Sequence, residues 1–436
     1  MSGSILLLSF VFYRSEIIFK GENSSHYYKY YLITLSGILF WGVVLRLREE
    51  IRANIVTVFI SLIFGLYMAE VGLTFLGLGG KKSILIYRAN AAAAELGVKF
   101  DKRTKLEVID DLVAEGLDAV PAVHPSLMIP INNRNNTDIN YLMPLGGVGS
   151  KTTIYDNESG KYMIYMSDRH GFNNPDRQWD LQDIEWLLLG DSFTQGAAVQ
   201  AGEDIAGQIR SLTRTNAISL GIGGNGPLIQ YASLVEYGNA LAPEKVLWIY
   251  FEGNDLHVDL EREKKEPMLM KYMQDDFSQN LINRQKEIDE YLEEYIEKEK
   301  SKSYKLNWIK LYAIRSIIGF DDRDIEFEYE YTLFTEILTK AKARVESWGG
   351  GLFFVYLPAY ERYSQRVNSH DNFINKSEVI NLVKELKIPV IDIHKEVFAG
   401  HPDPLSLFPF RIFGHYTKEG YSEVTEAIIA NTKIDD

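Results

Sequence analysis

Long apolar runs are concentrated at the N-terminal end of the chain. One lies near residues 30–47, and a second lies near residues 53–76 and is interrupted by a single charged residue, Glu70. An α-helix needs about 20 apolar residues to cross the hydrocarbon core of a bilayer. We therefore predict two transmembrane spans, with a third candidate span at residues 4–19, and we assign residues 1–80 to a membrane anchor.

The linker between the two predicted spans is rich in arginine, with Arg46, Arg48 and Arg52. Positively charged loops favour the cytoplasmic side, so the chain after the second span is expected on the extracytoplasmic side. Glu70 is expected near the end of its span, where its carboxylate reaches the lipid headgroups. The alternative is a buried hairpin in a soluble domain. Two long, nearly charge-free runs joined by an arginine-rich turn argue against it. The pattern thus predicts a multi-pass membrane protein.

Beyond residue 80 the hydrophobic pattern changes twice. Residues 81–182 combine helical spacing with short runs broken by Asn, Gly, Pro and Asp, which predicts a helical and then β-rich accessory segment. In residues 183–436 short apolar runs alternate with helical patterns, which predicts a parallel sheet covered by helices on both faces. The predicted strands of this sheet are Trp186–Leu189, Ala217–Leu220, Val246–Phe251, Leu352–Tyr356 and Val390–Ile393.

A highly charged stretch at residues 256–305 interrupts this alternation. It includes the run YLEEYIEKEK, whose dense charges are typical of the solvated face of a helix. We interpret the stretch as a charged helical insertion. A lid or a partner-binding arm is the alternative interpretation.

Composition narrows the functional classes. The 436 residues carry a formal net charge of −14, which argues against nucleic acid as a partner, because neutralising phosphates needs a basic surface. The chain has no cysteine, which excludes disulfides, thiolate zinc sites and a cysteine nucleophile. We find no clustered histidine and carboxylate spacing typical of a metal site, so neither a metal nor another cofactor is expected.

Polar motifs follow three consecutive predicted strands. Ser192 lies in GDSF after the first, Gly224 in the loop SLGIGGNGP after the second, and Asn254 in EGND after the third. Ligands of parallel sheets bind beyond the carboxyl ends of the strands, where these motifs meet. A serine hydroxyl there becomes a nucleophile when a base takes its proton. The N–H groups of Ser192 and Gly224 and the side chain of Asn254 would then form an oxyanion hole.

One of the eight histidines is well placed to be that base. His415, in GHYTKEGY, precedes the last predicted helix, where a loop can carry it back over the edge of the sheet. His394 and His401 are nearby competitors, and His257, next to the asparagine motif, is a third. Order along the chain and local context favour His415 as the general base.

The four motifs together resemble the SGNH/GDSL hydrolase superfamily over about Asp183–Ile434, with the charged stretch as an insertion. The resemblance implies a flavodoxin-like three-layer α/β/α sandwich. It also implies Ser192 as nucleophile, His415 as general base, and Gly224 and Asn254 as oxyanion donors. The preceding sequence SDRHGFNNPD is similar to the region before GDSF in membrane-bound bacterial members of the superfamily. Several such proteins are linked to acylation or deacylation of extracellular polysaccharides.

The chain departs from the family pattern beside the histidine. The family usually has an aspartate three residues before it, and here that position is Ile412. Either His415 works with the serine as a dyad, or another carboxylate orients it, and Asp403 is the best candidate in the sequence. Asp191 and Asp255 flank the serine and asparagine motifs and are expected to position the loops.

The leading hypothesis is a serine-dependent esterase or O-acyltransferase that acts through an acyl-serine intermediate. Its substrate would be an acylated carbohydrate, such as an extracellular polysaccharide, or another ester. The alternative hypothesis is a catalytically weak glycan-binding or assembly factor of a polysaccharide export system, suggested by Ile412 and by the charged insertion. A metal-dependent phosphoesterase is disfavoured because the ligand spacing is missing.

Overall fold

The computed structural model describes residues 1–18, 20–21, 24–76, 81–129, 141–301, 311–318, 329–364 and 375–432. The chain forms two compact units. The first contains residues 1–88 and 311–318, within the described parts of the chain. The second contains the described residues from Ala89 onwards, apart from that short segment.

The first unit is helical. Its helices are Ser2–Phe12, followed by the π-helical turn Tyr13–Ile18, then Ser24–Val44, Glu49–Phe75 and Tyr312–Ile317, and the helix Lys81–Glu95 begins in it.

One of the described helices, Glu49–Phe75, is long and apolar enough to cross a membrane. It has 27 residues, and from Ala53 to Phe75 its one charged residue is Glu70. The span predicted near residues 30–47 corresponds to the helix Ser24–Val44, which does not meet this requirement because its first turns contain His26, Lys29 and several tyrosines. Within the described residues, one of the two predicted spans therefore has the character of a membrane-crossing helix, and the span predicted near residues 30–47 is not confirmed.

Glu70 lies within this helix and is 1% exposed. Its carboxylate accepts the backbone N–H groups of Ala313 at 2.8 Å and Ile314 at 3.0 Å, at the start of the helix Tyr312–Ile317. The expectation that this carboxylate reaches lipid headgroups is thus replaced by a buried contact. Glu70 satisfies N–H groups that a helix leaves without intrahelical partners.

The second unit begins with the accessory segment. Thr104 caps the helix Lys105–Ala114 through a capping box with Glu107. Three short strands form a mixed sheet: β1 (Ala119–Pro121) pairs in parallel with β2 (Thr152–Ile154), and β2 pairs antiparallel with β3 (Ile164–Met166).

The larger sheet has five parallel strands in the order β5-β4-β6-β7-β8. These strands are β4 (Trp186–Leu189), β5 (Ala217–Ser219), β6 (Lys245–Phe251), β7 (Gly351–Leu357) and β8 (Val390–Asp392). They agree with the five predicted strands to within a residue or two at each end. Since β5 and β6 flank β4, the loops that follow these three strands leave the same edge of the sheet side by side.

Both faces of this sheet are buried, as its nearly continuous apolar strands predict. In β4, Leu187 and Leu189 contribute to one apolar cluster, and Trp186 and Leu188 contribute to a second. Alternate residues of a strand point to opposite faces, so the two clusters lie on opposite sides of the sheet. The unit is therefore an α/β fold with a parallel sheet between two layers, as expected.

The α-helices of this unit, beyond the two named above, are Ser192–Gln195, Ile205–Thr213, Pro227–Ser233, Asn239–Leu241, Leu260–Glu263, Pro267–Lys271, Gln285–Ser301, Tyr331–Ser347, Lys376–Glu385 and Lys418–Asn431. Within the charged insertion, the helix Gln285–Ser301 buries Ile288, Leu292 and Ile296 on one face and exposes most of its charged residues. The insertion is thus helical and amphipathic, and it packs against the main core.

Candidate active site

Ser192 follows β4 in a tight turn at the carboxyl edge of the sheet. The turn has no room for a side chain at position 190, because a Cβ atom on Gly190 would lie 2.0 Å from the hydroxyl oxygen of Thr194. Asp191 caps the short helix that begins at Ser192, and its carboxylate accepts the N–H of Phe193 at 2.9 Å. The local sequence therefore fixes the serine at a strand-to-helix turn, where its hydroxyl faces the strand ends.

The structure brings Ser192 and His415 together, although they are 223 positions apart. The His415 Nε2 atom lies 2.7 Å from Ser192 Oγ, and Nδ1 lies 2.8 Å from a carboxylate oxygen of Glu158. Phe193 packs against the imidazole with a centroid distance of 4.7 Å. In this arrangement Nδ1–H donates to Glu158, and Nε2 accepts the serine hydroxyl proton. Ser192, His415 and Glu158 thus have the geometry of a serine–histidine–carboxylate triad.

Glu158 comes from the accessory segment, in the turn that joins β2 to β3. The N–H of Tyr155 donates to the carbonyl of Met163 at 2.9 Å and closes this turn. Gly160 has a φ of +91°, which a glycine adopts without steric cost. Sequence analysis missed Glu158 because no motif surrounds it and because 257 residues separate it from His415.

Asp403 does not orient His415. Its carboxylate pairs with Arg411, whose Nη1 donates to Asp403 Oδ1 at 2.9 Å, and this pairing lowers the pKa of Asp403. Asp403 is close to His415 in sequence, but its counter-ion in the structure is the surface-exposed Arg411. The place that Asp403 was expected to take is occupied by Glu158.

The competing histidines have other partners. His394 Nδ1 lies 2.8 Å from the hydroxyl of Tyr363, and His401 Nδ1 accepts the N–H of Asp403 at 3.0 Å. His257 is buried beside Tyr329. Of the four candidates, His415 is the one that the structure places on the Ser192 hydroxyl.

The charges around His415 favour its protonated form. Burial lowers the pKa of the imidazole, but the carboxylates of Glu158 and Asp191 outweigh this effect and raise the pKa above the usual 6.5. Asp191 Oδ2 also lies 3.4 Å from Ser192 Oγ. Burial raises the pKa of Asp191 to about 6, although the N–H of Phe193 and the charge of His415 oppose the rise. Imidazolium formed during catalysis would therefore be stabilised by two carboxylates.

The glycine loop after β5 is fixed from several sides. Gly224 has a φ of +73°, and a Cβ atom there would lie 2.8 Å from Ser126 Oγ. The preceding residue, Gly223, donates its N–H to Gln195 Oε1 at 2.8 Å. Gln195 in turn donates to the hydroxyl of Tyr165 at 2.9 Å. The helix that begins at Ser192 and the accessory sheet thus both hold this loop.

Asn254 follows β6 and is connected to the glycine loop through two side chains. The N–H of Asp259 donates to the backbone carbonyl of Asn254 at 3.0 Å. Burial raises the pKa of the Asp259 carboxyl, and the nearby Asn254 amide opposes this rise. Arg262 Nη2 donates to Asp259 Oδ1 at 2.5 Å and to the carbonyl oxygen of Gly224 at 2.7 Å. One network therefore joins Gly224 and Asn254, the two residues that sequence analysis expects to be oxyanion donors.

Asp255 is completely buried beneath the asparagine motif. Its Oδ2 atom accepts the N–H of Phe251 at 3.1 Å and the Gln230 amide at 3.3 Å. Burial raises the pKa of Asp255 well above its usual value, and the charge of Asp191 adds to the rise. These contacts hold the end of β6.

The motif SDRHGFNNPD is hydrogen-bonded to β5, the strand that precedes the glycine loop. Asn174 donates to the carbonyl of Ser219 in β5 at 2.9 Å and accepts the N–H of Ser219 at 2.8 Å. Asp168 is buried and accepts hydrogen bonds from the Asn174 amide and the Trp179 indole, both at 2.8 Å. This motif therefore braces the strand that precedes the glycine loop.

Within the described residues, no group of three or more His, Asp or Glu side chains is arranged to hold a metal ion. The chemistry available at this site is that of a serine hydroxyl, an imidazole, carboxylates and amide donors.

No protein-family model matches the sequence, and a comparison with curated proteins finds no significant relative. Solved structures give weak similarities. A lipase/acylhydrolase from Enterococcus faecalis is 14% identical, with a TM-score of 0.33 over 57% of this chain and 94% of its own. The acetyl xylan esterase AlAXEase is 13% identical, with a TM-score of 0.34 over 57% of this chain and 100% of its own. A GDSL-like lipase from Bacteroides thetaiotaomicron is 13% identical, with a TM-score of 0.33 over 58% and 92%.

Proposed function

We propose that the chain is a serine esterase or O-acyltransferase that works through an acyl-Ser192 intermediate. The observation that carries this proposal is the continuous hydrogen-bonded series from Ser192 Oγ to His415 Nε2 and from His415 Nδ1 to Glu158. A nucleophile, a base and a carboxylate that orients the base are the three parts that nucleophilic catalysis by serine needs.

In the first half-reaction, His415 Nε2 takes the proton of the Ser192 hydroxyl while Oγ attacks the carbonyl carbon of the ester. The carbonyl oxygen becomes an oxyanion, which the Ser192 N–H, the Gly224 N–H and the Asn254 amide would stabilise. His415 then gives its proton to the departing alkoxide as the C–O bond breaks. The alcohol leaves, and the acyl group remains on Ser192.

In the second half-reaction, an acceptor hydroxyl attacks the acyl-serine. His415 takes the acceptor proton and returns it to Ser192 Oγ when the acyl–enzyme bond breaks. Water as acceptor gives hydrolysis, and a sugar hydroxyl gives acyl transfer. Glu158 holds the imidazole in the tautomer that both halves require, with the proton on Nδ1 and Nε2 free to accept.

For the substrate we propose an acyl ester of carbohydrate, presented outside the cytoplasm to a protein anchored by the helix Glu49–Phe75. Support comes from the apolar character of that helix, from the arginines that precede it, and from the SDRHGFNNPD sequence. The membrane partner and the extracytoplasmic location belong to the same proposal.

The glycan-binding alternative rests on two observations, Ile412 and the charged insertion. Ile412 stands where the family has its orienting aspartate, but Glu158 supplies a carboxylate to the same imidazole. The insertion does not favour the alternative, because its helix Gln285–Ser301 packs against the main core. The contacts of His415 therefore favour the catalytic proposal.

The test is hydrolysis of p-nitrophenyl acetate by the full-length chain in detergent, compared with Ser192→Ala and His415→Ala. We expect kcat to be at least about 10³-fold lower in both variants. Ser192→Ala removes the oxygen that forms the acyl bond, and His415→Ala removes the base that accepts its proton. His394→Ala serves as the matched control, since His394 pairs with Tyr363 away from the serine. Equal activity of wild type and Ser192→Ala would refute the proposal.

The choice between transfer and hydrolysis is tested with an acetyl donor and an oligosaccharide acceptor. Mass spectrometry of the sugar product distinguishes an added acetyl group from free acetate. Acetylated sugar that disappears with Ser192→Ala supports transfer, whereas free acetate alone supports hydrolysis.

A further inference from the structure

The beginning of the charged insertion is bound to the glycine loop. The Glu263 carboxylate is fully buried and accepts the N–H groups of Gly226 at 2.5 Å, Leu228 at 2.9 Å and Ile229 at 3.2 Å. These groups belong to the start of the helix Pro227–Ser233, whose first N–H groups have no intrahelical acceptor. A residue of the insertion therefore fixes the end of the glycine loop.

Arg262 holds the same loop at a second point. Its Nη2 atom donates to the carbonyl oxygen of Gly224 at 2.7 Å and to Asp259 at 2.5 Å. Asp259 also donates its backbone N–H to the carbonyl of Asn254 at 3.0 Å. The guanidinium thus connects the loops after β5 and β6, which lie on either side of Ser192.

An ordinary helix-stabilising ion pair does not account for this arrangement. Arg262 and Asp259 are three residues apart, as in many exposed helical pairs, but the Asp259 side chain is only 2% exposed. Exposed pairs of this kind contribute little because solvent screens them. Here Arg262 compensates a buried carboxylate and also binds a backbone carbonyl, and both partners are connected to the proposed oxyanion donors.

We propose that Arg262 is a positioning residue for the oxyanion hole, which holds Gly224 directly and Asn254 through Asp259. The inference deepens the esterase proposal and depends on it for its catalytic part. Without the guanidinium, Gly224 loses a bond to its carbonyl oxygen and Asp259 loses its counter-ion. The donors would then be less ordered when the oxyanion forms. Binding of the ester would be little affected, because its uncharged carbonyl oxygen interacts with these donors more weakly than the oxyanion does.

The experiment compares Arg262→Met with Arg284→Met in the full-length chain in detergent, with p-nitrophenyl acetate as substrate. Arg284 is a matched control, because it lies in the same insertion, pairs with Glu287 and donates to the carbonyl of Gln279. We expect kcat to fall by about 10- to 100-fold in Arg262→Met with KM changed by less than about threefold, because complete loss of one oxyanion donor costs about 10²–10³-fold. Arg284→Met is expected to keep wild-type kcat.

Arg262→Lys tests the role with a smaller change. A lysine supplies the charge but not the planar fork, so we expect partial rescue, with kcat between those of wild type and Arg262→Met. This variant also replaces Arg262→Met if the latter does not fold. An unchanged kcat in both variants, or an equal loss in Arg284→Met, would overturn the inference.

A second readout does not need catalysis. Hydrogen–deuterium exchange of the peptide that covers residues 221–228 reports the order of the loop. Faster exchange in Arg262→Met than in Arg284→Met is expected, and identical exchange overturns the inference. If wild type and Ser192→Ala are equally inactive, the esterase proposal fails, and the exchange result still decides whether Arg262 orders the loop.

Discussion

Replacing Glu158 is the most informative perturbation of the site, because this residue was not foreseen from the sequence. Glu158→Gln keeps the size of the side chain but removes its charge. The new amide can donate to Nδ1 and so favour the tautomer with its proton on Nε2, which cannot accept the Ser192 proton. The variant therefore tests the orienting role of the carboxylate with little loss of packing.

The size of the effect follows from comparison with buried triads. There, exchange of the acidic residue for its amide lowers kcat by about 10⁴-fold. The side chains of Glu158 and His415 are 20% and 18% exposed, so water can replace part of the interaction. We expect a loss of about 10²–10³-fold, which corresponds to about 3–4 kcal/mol in activation free energy.

The pH profile gives an independent measurement. Only neutral imidazole can accept the Ser192 proton, so wild-type kcat should rise with pH through the His415 pKa, which lies above 6.5. Glu158→Gln removes a charge that raises this pKa and leaves the burial that lowers it. The acid limb should therefore move to lower pH, while the plateau falls.

The control for this prediction is Asp403→Asn. Asp403 pairs with Arg411 on the surface, so its loss should change kcat by less than about twofold. The reasoning fails if Glu158→Gln keeps wild-type kcat with an unmoved acid limb. It fails equally if Asp403→Asn is the more damaging variant.

Three further predictions concern the framework of the protein. Gly224→Ala should lower kcat at least about 10-fold and destabilise by about 1–2 kcal/mol, because φ is +73° and Ser126 leaves little room for a Cβ atom; kinetics and thermal unfolding check this. Asn174→Ala should cost about 2–4 kcal/mol in urea unfolding, because it removes two buried hydrogen bonds to Ser219. Glu70→Gln should speed amide exchange of the helix Tyr312–Ile317 by roughly 10-fold or more, measured by mass spectrometry, because two charge-assisted bonds weaken.

The sequence predicts the strands of the main sheet well because each is a short apolar run that alternates with a helical pattern. Fully apolar runs such as Trp186–Leu189 and Val246–Phe251 suit strands buried on both faces, and their boundaries shift by at most one residue in the structure. The meeting of Ser192 with His415 also follows from topology, since parallel strands direct their carboxyl ends to one edge. These features are local or depend on connectivity alone.

Other features depend on packing and have no local signature. Nothing in the local sequence distinguishes Glu158 from the other glutamates. Its role arises because the turn between β2 and β3 lies against the loop that contains His415. Asp403 is near His415 in sequence, but a carboxylate pairs with the charge nearest in space, which here is Arg411. The run near residues 30–47 is apolar, but the helix that contains it begins at Ser24 and includes the tyrosines and the lysine of its first turns.

The accessory segment at residues 81–182 precedes the region that contains Ser192 and His415, and it completes their site. A chain limited to residues 183–436 would contain Ser192 and His415 but would lack Glu158, and with it the charge that fixes the imidazole tautomer. It would also lose Asn174, which braces β5 from the same accessory segment. Because both contacts act on groups that must be aligned before the ester arrives, the accessory segment is part of the catalytic machinery that we propose.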